Sequence, residues 1–262
     1  MQDLNVTIVQ PDLVWENPKA NCKMFDELLE KMRRPTDLVI LPEMFSTGFT
    51  MNADAMSESM TGNTVNWMKK KASELDILLM GSLIIKQGKK YHNRLVCVFP
   101  DKSVEFYDKR HLFQMAKEDE TFSAGEQHLI LEWKGWRIMP QICYDLRFPV
   151  WSRNRLYDPD WKYDLLVYVA NWPDRRAHHW RRLLPARAIE NQCYVAAVNR
   201  LGIDENQIAY RGDSAIFDFN GDFLGQIINR AGTETVKLSG RNLTDYRVRF
   251  PSWQDADRFD FV

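Results

Sequence analysis

Short apolar runs alternate with amphipathic, helix-length segments along most of this 262-residue chain. Runs such as 165–169 are rich in branched side chains, which is typical of buried strands, whereas 17–32 carries apolar residues three and four positions apart, which is typical of a helix. Alternating strands and helices predict an α/β fold. Because strands outnumber long helices, we expect two sheets packed together with helices outside, in one domain over residues 1–262.

The same patterns give approximate bounds for the elements. We predict helices at 17–32, 64–75 and 179–191. We predict strands at 5–10, 38–41, 77–85, 91–99, 104–107, 129–133, 136–142, 165–169, 193–198, 214–217, 223–228 and 235–238. Segments 44–61 and 110–125 are predicted loops, and a connection as long as the second is usually functional. The tail, 246–262, shows no clear period.

Composition argues against several classes of partner. The formal net charge of −1 indicates neither a nucleic-acid nor a membrane-surface partner. The N-terminus carries an early acidic residue and no basic stretch, so we expect no signal peptide, and the longest apolar run, 77–85, is too short to span a bilayer. No two cysteines form a C-x-x-C pair, so we expect a cytoplasmic protein with free thiols and no zinc site. The cysteines are Cys22, Cys97, Cys143 and Cys193.

The segment 136–149, WRIMPQICYDLRFP, joins an apolar strand to a charged turn. Its apolar run ends on Cys143, and Pro149 lies where a helix can begin, because a first helical turn does not need its N–H. Free N–H groups at the start of a helix favour the thiolate, which is the nucleophilic form of cysteine. Cys143 is therefore a candidate nucleophile, although a buried, inert cysteine fits the same segment.

Glu43, Lys109 and Cys143 each lie just after a predicted strand. In α/β folds, ligands bind outside the carboxyl ends of strands, so these residues can converge on one pocket. There Glu43 can accept the thiol proton and later activate water, and Cys143 can attack a carbonyl or nitrile carbon. Lys109 can stabilise the oxyanion together with the backbone N–H of Tyr144. Alternatively, Glu43 is a surface-loop carboxylate and Lys109 is a solvated charge.

Three tracts carry a resemblance to a known family: LPEMFSTGF around Glu43, YDKRHLF around Lys109 and ICYDLRFP around Cys143. In order and spacing they resemble the signatures of the nitrilase superfamily, the carbon–nitrogen hydrolases. The resemblance continues through VANWP at 169–173, ARAIENQ at 186–192 and YRGDS at 210–214. The tract PSWQDAD at 251–257 is similar to the bacterial omega-amidase branch, which hydrolyses 2-oxoglutaramate and related ω-amides of 2-oxo acids.

This resemblance implies a four-layer α-β-β-α sandwich of two mixed sheets and a homodimer packed face to face. It implies Glu43 as base, Lys109 as oxyanion stabiliser and Cys143 as nucleophile, with no metal or organic cofactor. The family also has a second active-site glutamate ahead of the cysteine strand. Glu118 and Glu120 are both candidates, and the spacing to the cysteine favours Glu118, which would orient Lys109 and the substrate amide nitrogen.

A 2-oxo acid needs a partner for its carboxylate, and arginine binds carboxylates through two parallel hydrogen bonds. The candidates are Arg147, which could instead form a structural ion pair, and Arg175 and Arg176, which follow the strand at 165–169. Trp172 and Phe45 could wall the pocket, although large aromatics more often serve packing. Nearby histidines are expected only to pack or form hydrogen bonds: His111, His178 and His179.

The leading interpretation is an amidase that hydrolyses the ω-amide of a small 2-oxo acid, 2-oxoglutaramate or 2-oxosuccinamate. The products would be the dicarboxylate and ammonia, formed through a cysteine thioester. A carbamoylase or an aliphatic amidase of the same superfamily is the alternative, and nitrile hydrolysis is less expected because most branches act on amides. A non-catalytic dimeric scaffold of this fold is a third possibility, but a scaffold has no need of Glu43, Lys109 and Cys143.

Overall fold

The structure, a computed structural model, describes residues 1–32, 34–154, 156–157 and 160–257, so residues 258–262 of the predicted tail lie outside it. Its strands in chain order are β1 (Leu4–Gln10), β2 (Leu38–Ile40), β3 (Leu78–Gln87), β4 (Lys90–Val98), β5 (Val104–Asp108), β6 (Leu131–Trp133), β7 (Trp136–Ile142), β8 (Leu156–Tyr157), β9 (Asp160–Trp161), β10 (Leu165–Ala170), β11 (Tyr194–Asn199), β12 (Leu201–Ile203), β13 (Ala209–Phe217), β14 (Phe223–Ile228) and β15 (Gly232–Leu238).

The helices are α1 (Pro18–Glu30), α2 (Ala53–Met56), α3 (Asn63–Leu75), α4 (Glu118–Thr121), α5 (Pro149–Ser152), α6 (Ala177–Asn191) and α7 (Gly240–Arg249). The long helix α1 begins where Asn17 accepts a hydrogen bond from the N–H of Ala20, a side-chain cap that satisfies one free donor of the first turn. No helix in the described ranges is long and apolar enough to cross a membrane.

Two mixed sheets form the middle of the molecule. The first has the order β15-β1-β2-β3-β4-β5, and the second has the order β12-β13-β11-β10-β7-β6 with β14 paired to β13. In the first sheet, β2 and β3 are parallel, while β4 is antiparallel to both β3 and β5. The carboxyl ends of β2 and β5 therefore lie at the same edge. In the second sheet, β7, β10 and β11 are parallel, so their carboxyl ends also share one edge.

Three apolar cores define the layers. Buried residues of both sheets, such as Ile8 and Val167, fill the space between the sheets. Phe25 of α1 and Met68 of α3 pack on the outer face of the first sheet, and Trp180 of α6 packs on the outer face of the second. The order of layers is helix, sheet, sheet, helix, and it confirms the predicted α-β-β-α sandwich.

The main departures from the predicted elements are at the C-terminal end and in the loops. Helix α7 occupies part of a region predicted to lack structure. Its inward face combines Leu243 and Tyr246, which pack on the core, with Arg247, which pairs with the buried Asp164. Strand β12 was not predicted, and the predicted loops contain the single turns α2 and α4. Each of these elements is short or has a partly polar inner face, so hydrophobic periodicity reveals it poorly.

Candidate active site

The charged strand-end residues meet in the interior of the molecule. Glu43 follows β2 and Lys109 follows β5, so both leave the same edge of the first sheet. The Lys109 Nζ donates to Glu43 Oε1 at 2.8 Å, and both side chains are almost completely buried. Neither is therefore the solvated surface charge that the sequence alone left open.

The structure separates the two candidate second glutamates. Glu118 begins α4, is fully buried, and accepts from Lys109 Nζ through Oε1 at 3.0 Å and Oε2 at 2.9 Å. The backbone N–H of Phe113 also donates to its Oε2 at 2.6 Å. Glu120 instead points to solvent, where it lies 3.5 Å from Lys117. Lys109 is therefore held between Glu43 and Glu118.

The two glutamates of this ion cluster favour the protonated, positively charged form of Lys109. Burial alone would lower the pKa of its ammonium, but Glu118 and Glu43 outweigh burial and raise that pKa above its usual value. Burial also raises the pKa of Glu118, with the nearby Glu43 carboxylate adding to the effect and Lys109 opposing it. Lys109 consequently remains a cation throughout the neutral and alkaline range.

Cys143 lies at the carboxyl end of β7 and opens a short 3-10 segment, Cys143–Arg147, instead of a long helix. Its backbone is in the left-handed region, with φ at 44°, a strained conformation for a side-chain-bearing residue. Burial raises the pKa of the thiol, as does the Glu43 carboxylate, while Lys109 opposes both. A helix does begin at Pro149, but α5 spans only Pro149–Ser152, and the burial of Cys143 opposes the thiolate that a helix start was expected to favour.

Asp145 ties the cysteine turn to the segment that follows Lys109. Its buried carboxylate accepts from the Ile142 N–H at 3.0 Å and from the Tyr107 hydroxyl at 2.8 Å. It also accepts from the His111 N–H at 3.0 Å, and the His111 ring nitrogen Nδ1 lies 2.8 Å away. This one carboxylate therefore fixes the backbone on both sides of the site.

Two asparagines that sequence reasoning missed contact the ion cluster of Glu43, Lys109 and Glu118. Asn93 in β4 donates to Glu43 Oε1 at 2.8 Å and to Glu118 Oε1 at 3.1 Å. Asn171, just after β10, donates its backbone N–H to Glu43 Oε2 at 2.8 Å. The available signal was weak: Asn93 is a polar residue inside a strand, and Asn171 follows a strand end in the VANWP tract.

A cavity of about 610 Å³ opens beside Cys143 and Lys109. The aromatic ring of Phe49 borders it, with the Lys109 Nζ 5.2 Å from the ring centre. Phe45, which the sequence suggested as a wall, is instead completely buried against Phe25 in the core of the first sheet. Phe49, four positions after Phe45 in the loop that follows Glu43, therefore takes the place at the cavity that was predicted for Phe45.

All the other substrate-contact candidates border this cavity: Tyr144, Arg147, Trp172, Arg175 and Arg176. The Arg147 guanidinium lies 4.6 Å from the Trp172 ring centre and 3.1 Å from His179 Nδ1. The half-buried Arg176 lies 5.2 Å from the ring centre of Phe113. Burial lowers the pKa of Arg176, and Arg175 and Arg147 lower it further.

None of the three arginines forms an ion pair with a carboxylate within the described part of the chain: Arg147, Arg175 and Arg176. Arg175 and Arg147 both lower the pKa of Arg176, so the three positive charges lie close enough together to repel one another. A cavity of this kind, bordered by Cys143 and by arginines, suits a small organic anion.

Comparison with known proteins identifies the family. The carbon-nitrogen hydrolase family model matches residues 5–247. This chain belongs to the carbon–nitrogen hydrolase family. It is 47% identical over 260 residues to the omega-amidase YafV of Escherichia coli strain K12, covering 99% of both chains. It is 30% identical over 254 residues to the 2-oxoglutaramate amidase of Bacillus subtilis strain 168, covering 95% of this chain and 96% of the relative.

A solved structure supports the same assignment. The chain superposes with a TM-score of 0.97 on XC1258 from Xanthomonas campestris, a CN-hydrolase superfamily protein with an arsenic adduct in its active site. The two are 44% identical, and the match covers 100% of both chains. The chain is therefore a hydrolase of carbon–nitrogen bonds with the fold predicted for the nitrilase superfamily.

Proposed function

We propose that the protein hydrolyses the ω-amide of a small 2-oxo acid, with 2-oxoglutaramate or 2-oxosuccinamate as substrate. The observation that carries the proposal is the unpaired arginine cluster bordering the same cavity as Cys143. An amide whose far end bears a carboxylate can present its carbonyl to the thiol and its anion to the arginines. The similarity to an omega-amidase and a 2-oxoglutaramate amidase supports the same substrate class.

Glu43, Lys109 and Cys143 account for the acylation step. Glu43 accepts the thiol proton while the sulfur attacks the amide carbon, so no resting thiolate is required. The negative charge moves onto the carbonyl oxygen, where Lys109 and the backbone N–H of Tyr144 stabilise it. Glu43 then transfers its proton to the amide nitrogen, the carbon–nitrogen bond breaks, and ammonia leaves a thioester on Cys143.

The second half of the reaction uses the same groups in reverse. Glu43 takes a proton from a water molecule, and the hydroxide oxygen attacks the thioester carbon. The oxyanion again faces Lys109, and the carbon–sulfur bond then breaks to release the acid. Glu43 returns its proton to the sulfur, which restores the thiol. Glu118 holds Lys109 in place during both steps.

Among the arginines, we assign the substrate carboxylate chiefly to Arg176. It is half-buried and close to both other guanidiniums, whereas Arg175 is exposed. Arg147 is held beside Trp172 and His179 and supplies further positive charge. The backbone carbonyl of Arg176 accepts from Trp172 Nε1 at 2.8 Å, which ties this segment to the buried cavity wall.

Ammonia release across a panel of amides tests this function. The panel contains 2-oxoglutaramate, 2-oxosuccinamate, glutamine, asparagine, propionamide and an N-carbamoyl amino acid. The 2-oxo acid amides should exceed propionamide by on the order of 10²-fold in kcat/KM, because a substrate without the carboxylate leaves buried donors unpaired. Arg176→Ala should abolish that preference, while Arg175→Ala should retain most of it. A wild type that prefers neutral amides or the carbamoyl compound would overturn the substrate assignment.

We also propose that the chain forms a homodimer. Helix α7 leaves Val248 and Phe250 largely exposed near its end, and Ile189 of α6 is exposed as well. The two helix ends are linked, since Gln192 donates to the Phe250 carbonyl at 2.7 Å. Exposed apolar surface of this kind favours association. Light scattering should give about twice the chain mass of 30.9 kDa, and a mass equal to one chain would contradict the proposal.

A further inference from the structure

Asn93 occupies an unusual position between two carboxylates. It is completely buried in β4, and its amide nitrogen donates to Glu43 Oε1 at 2.8 Å and to Glu118 Oε1 at 3.1 Å. A primary amide has two N–H donors, so one is available for each carboxylate. Its backbone carbonyl also accepts from the N–H of Lys109 at 3.0 Å. One neutral residue thus contacts every member of the ion cluster.

The orientation of this amide is fixed from behind by Ser82. The Ser82 hydroxyl donates to Asn93 Oδ1 at 2.8 Å. The Ser82 hydroxyl oxygen in turn accepts from the backbone N–H of Met44, next to Glu43, at 2.8 Å. Because Oδ1 is used in this way, the amide nitrogen must face the two carboxylates. Ser82 is itself completely buried, so water does not compete for these bonds.

We propose that Asn93 is a positioning residue that keeps Glu43 ionised and prevents Glu43 and Glu118 from sharing a proton. Two carboxylates on one ammonium repel each other, and such pairs bind a proton more tightly than isolated acids. Donation to each carboxylate stabilises the ionised form of both. The base of the proposed amidase reaction therefore depends on Asn93, and this inference rests on that proposed function.

The other ionisable groups around the pair do not replace Asn93. Lys109 already bonds both carboxylates, and the Cys143 thiol must lose a proton rather than supply charge. The Tyr210 hydroxyl interacts with Glu43 from another wall of the cavity but donates to Asp204 at 2.9 Å. Without Asn93, the repulsion between the carboxylates would be balanced by a single cation.

The test is the pH dependence of kcat/KM for ammonia release from 2-oxoglutaramate. Removing a donor to an ionised carboxylate raises its pKa, so the active form appears only at higher pH. The acid limb is the part of the profile where kcat/KM falls as the pH is lowered. Asn93→Asp and Asn93→Ala should each move this limb to higher pH by about one unit or more. The control is Asn154→Ala, which removes a buried asparagine bonded to Tyr163 and Asn191 instead; it should lower thermal stability and leave the limb in place.

One further variant and one further measurement complete the test. Ser82→Ala leaves Asn93 present but removes the hydroxyl that orients it, so a smaller upward shift is expected even if the Asn93 variants do not fold. The rate at which iodoacetamide alkylates Cys143, measured by peptide mass spectrometry across the same pH range, reports the same ionisation without a substrate. Folded variants whose limbs match the wild type in both measurements would overturn the role of Asn93. A wild type that releases no ammonia from any amide would instead overturn the proposed function.

Discussion

Two glutamates in one helical turn have opposite surroundings, which permits a matched comparison. Glu118 is buried against Lys109, whereas Glu120 is exposed beside Lys117. Glu118→Gln keeps the shape of the side chain but removes the charge that holds Lys109, and misplacement of Lys109 should lower kcat by on the order of 10²-fold. Glu120→Gln should behave as wild type in the same steady-state assay. Equal losses in both variants would contradict the arrangement.

The raised pKa of Cys143 gives Glu43 a specific role that pH can reveal. In Glu43→Gln no carboxylate accepts the thiol proton, so turnover at neutral pH should fall by several orders of magnitude. The thiol must then ionise into solvent, and activity should rise about tenfold per pH unit through the alkaline range. Lys109 stays protonated there, because its pKa is raised. A flat alkaline profile of kcat/KM in this variant would remove Glu43 as the base.

At the scale of residues, the sequence indicated which charged groups meet but not how they are held. Strand-end positions predicted that Glu43, Lys109 and Cys143 would converge, because the carboxyl ends of strands meet at sheet edges. The role of Asn93 could not be predicted, since a buried polar residue in a strand gives no indication of its partner. The effect of burial on the Cys143 thiol could not be predicted either, because burial is a property of the whole fold.

At the scale of elements, the turn that carries Cys143 depends on Asp145. Asp145→Asn would replace an acceptor of bonds from Ile142, Tyr107 and His111 with a group that has fewer acceptor sites. Leaving buried donors unpaired should cost about 2–3 kcal/mol of unfolding free energy and also reduce kcat. The control is Asp3→Asn, which breaks an exposed pair with Lys237 and should change stability little. Urea denaturation compares them, and equal stabilities would exclude Asp145 as an anchor.

Element prediction succeeded where the pattern of burial is regular and failed where it is not. Helix α1 shows an apolar stripe that includes Phe25 and Leu29, and it was predicted within two residues at each end. Helix α7 buries Arg247 beside Leu243 on its inner face, where an ion pair with Asp164 at 2.6 Å and packing over Trp161 add to the apolar contacts. A short helix whose apolar positions are interrupted by a buried arginine gives a weaker hydrophobic period than α1 does.

At the scale of the whole molecule, the core between the sheets should couple them into one folding unit. Leu165 begins β10, is completely buried in that core, and lies at the opposite end of the strand from Asn171. Leu165→Ala should lower the free energy of unfolding by about 2–5 kcal/mol and leave kcat close to wild type. Leu224→Ala, at an exposed position, is the control. Fluorescence and circular dichroism should report one coincident transition, and two separate transitions would contradict a single domain.

The central claim is that Cys143 carries the acyl group of a 2-oxo acid during turnover. Rapid quenching of the enzyme with 2-oxoglutaramate, followed by digestion and mass spectrometry, should show the acyl increment on the peptide that contains Cys143. Ammonia should appear in a burst of about one equivalent per active site if hydrolysis of the thioester is slow. Cys143→Ala should show neither the increment nor turnover, although it folds. Steady ammonia release by Cys143→Ala, or an acyl group on another cysteine, would contradict the mechanism.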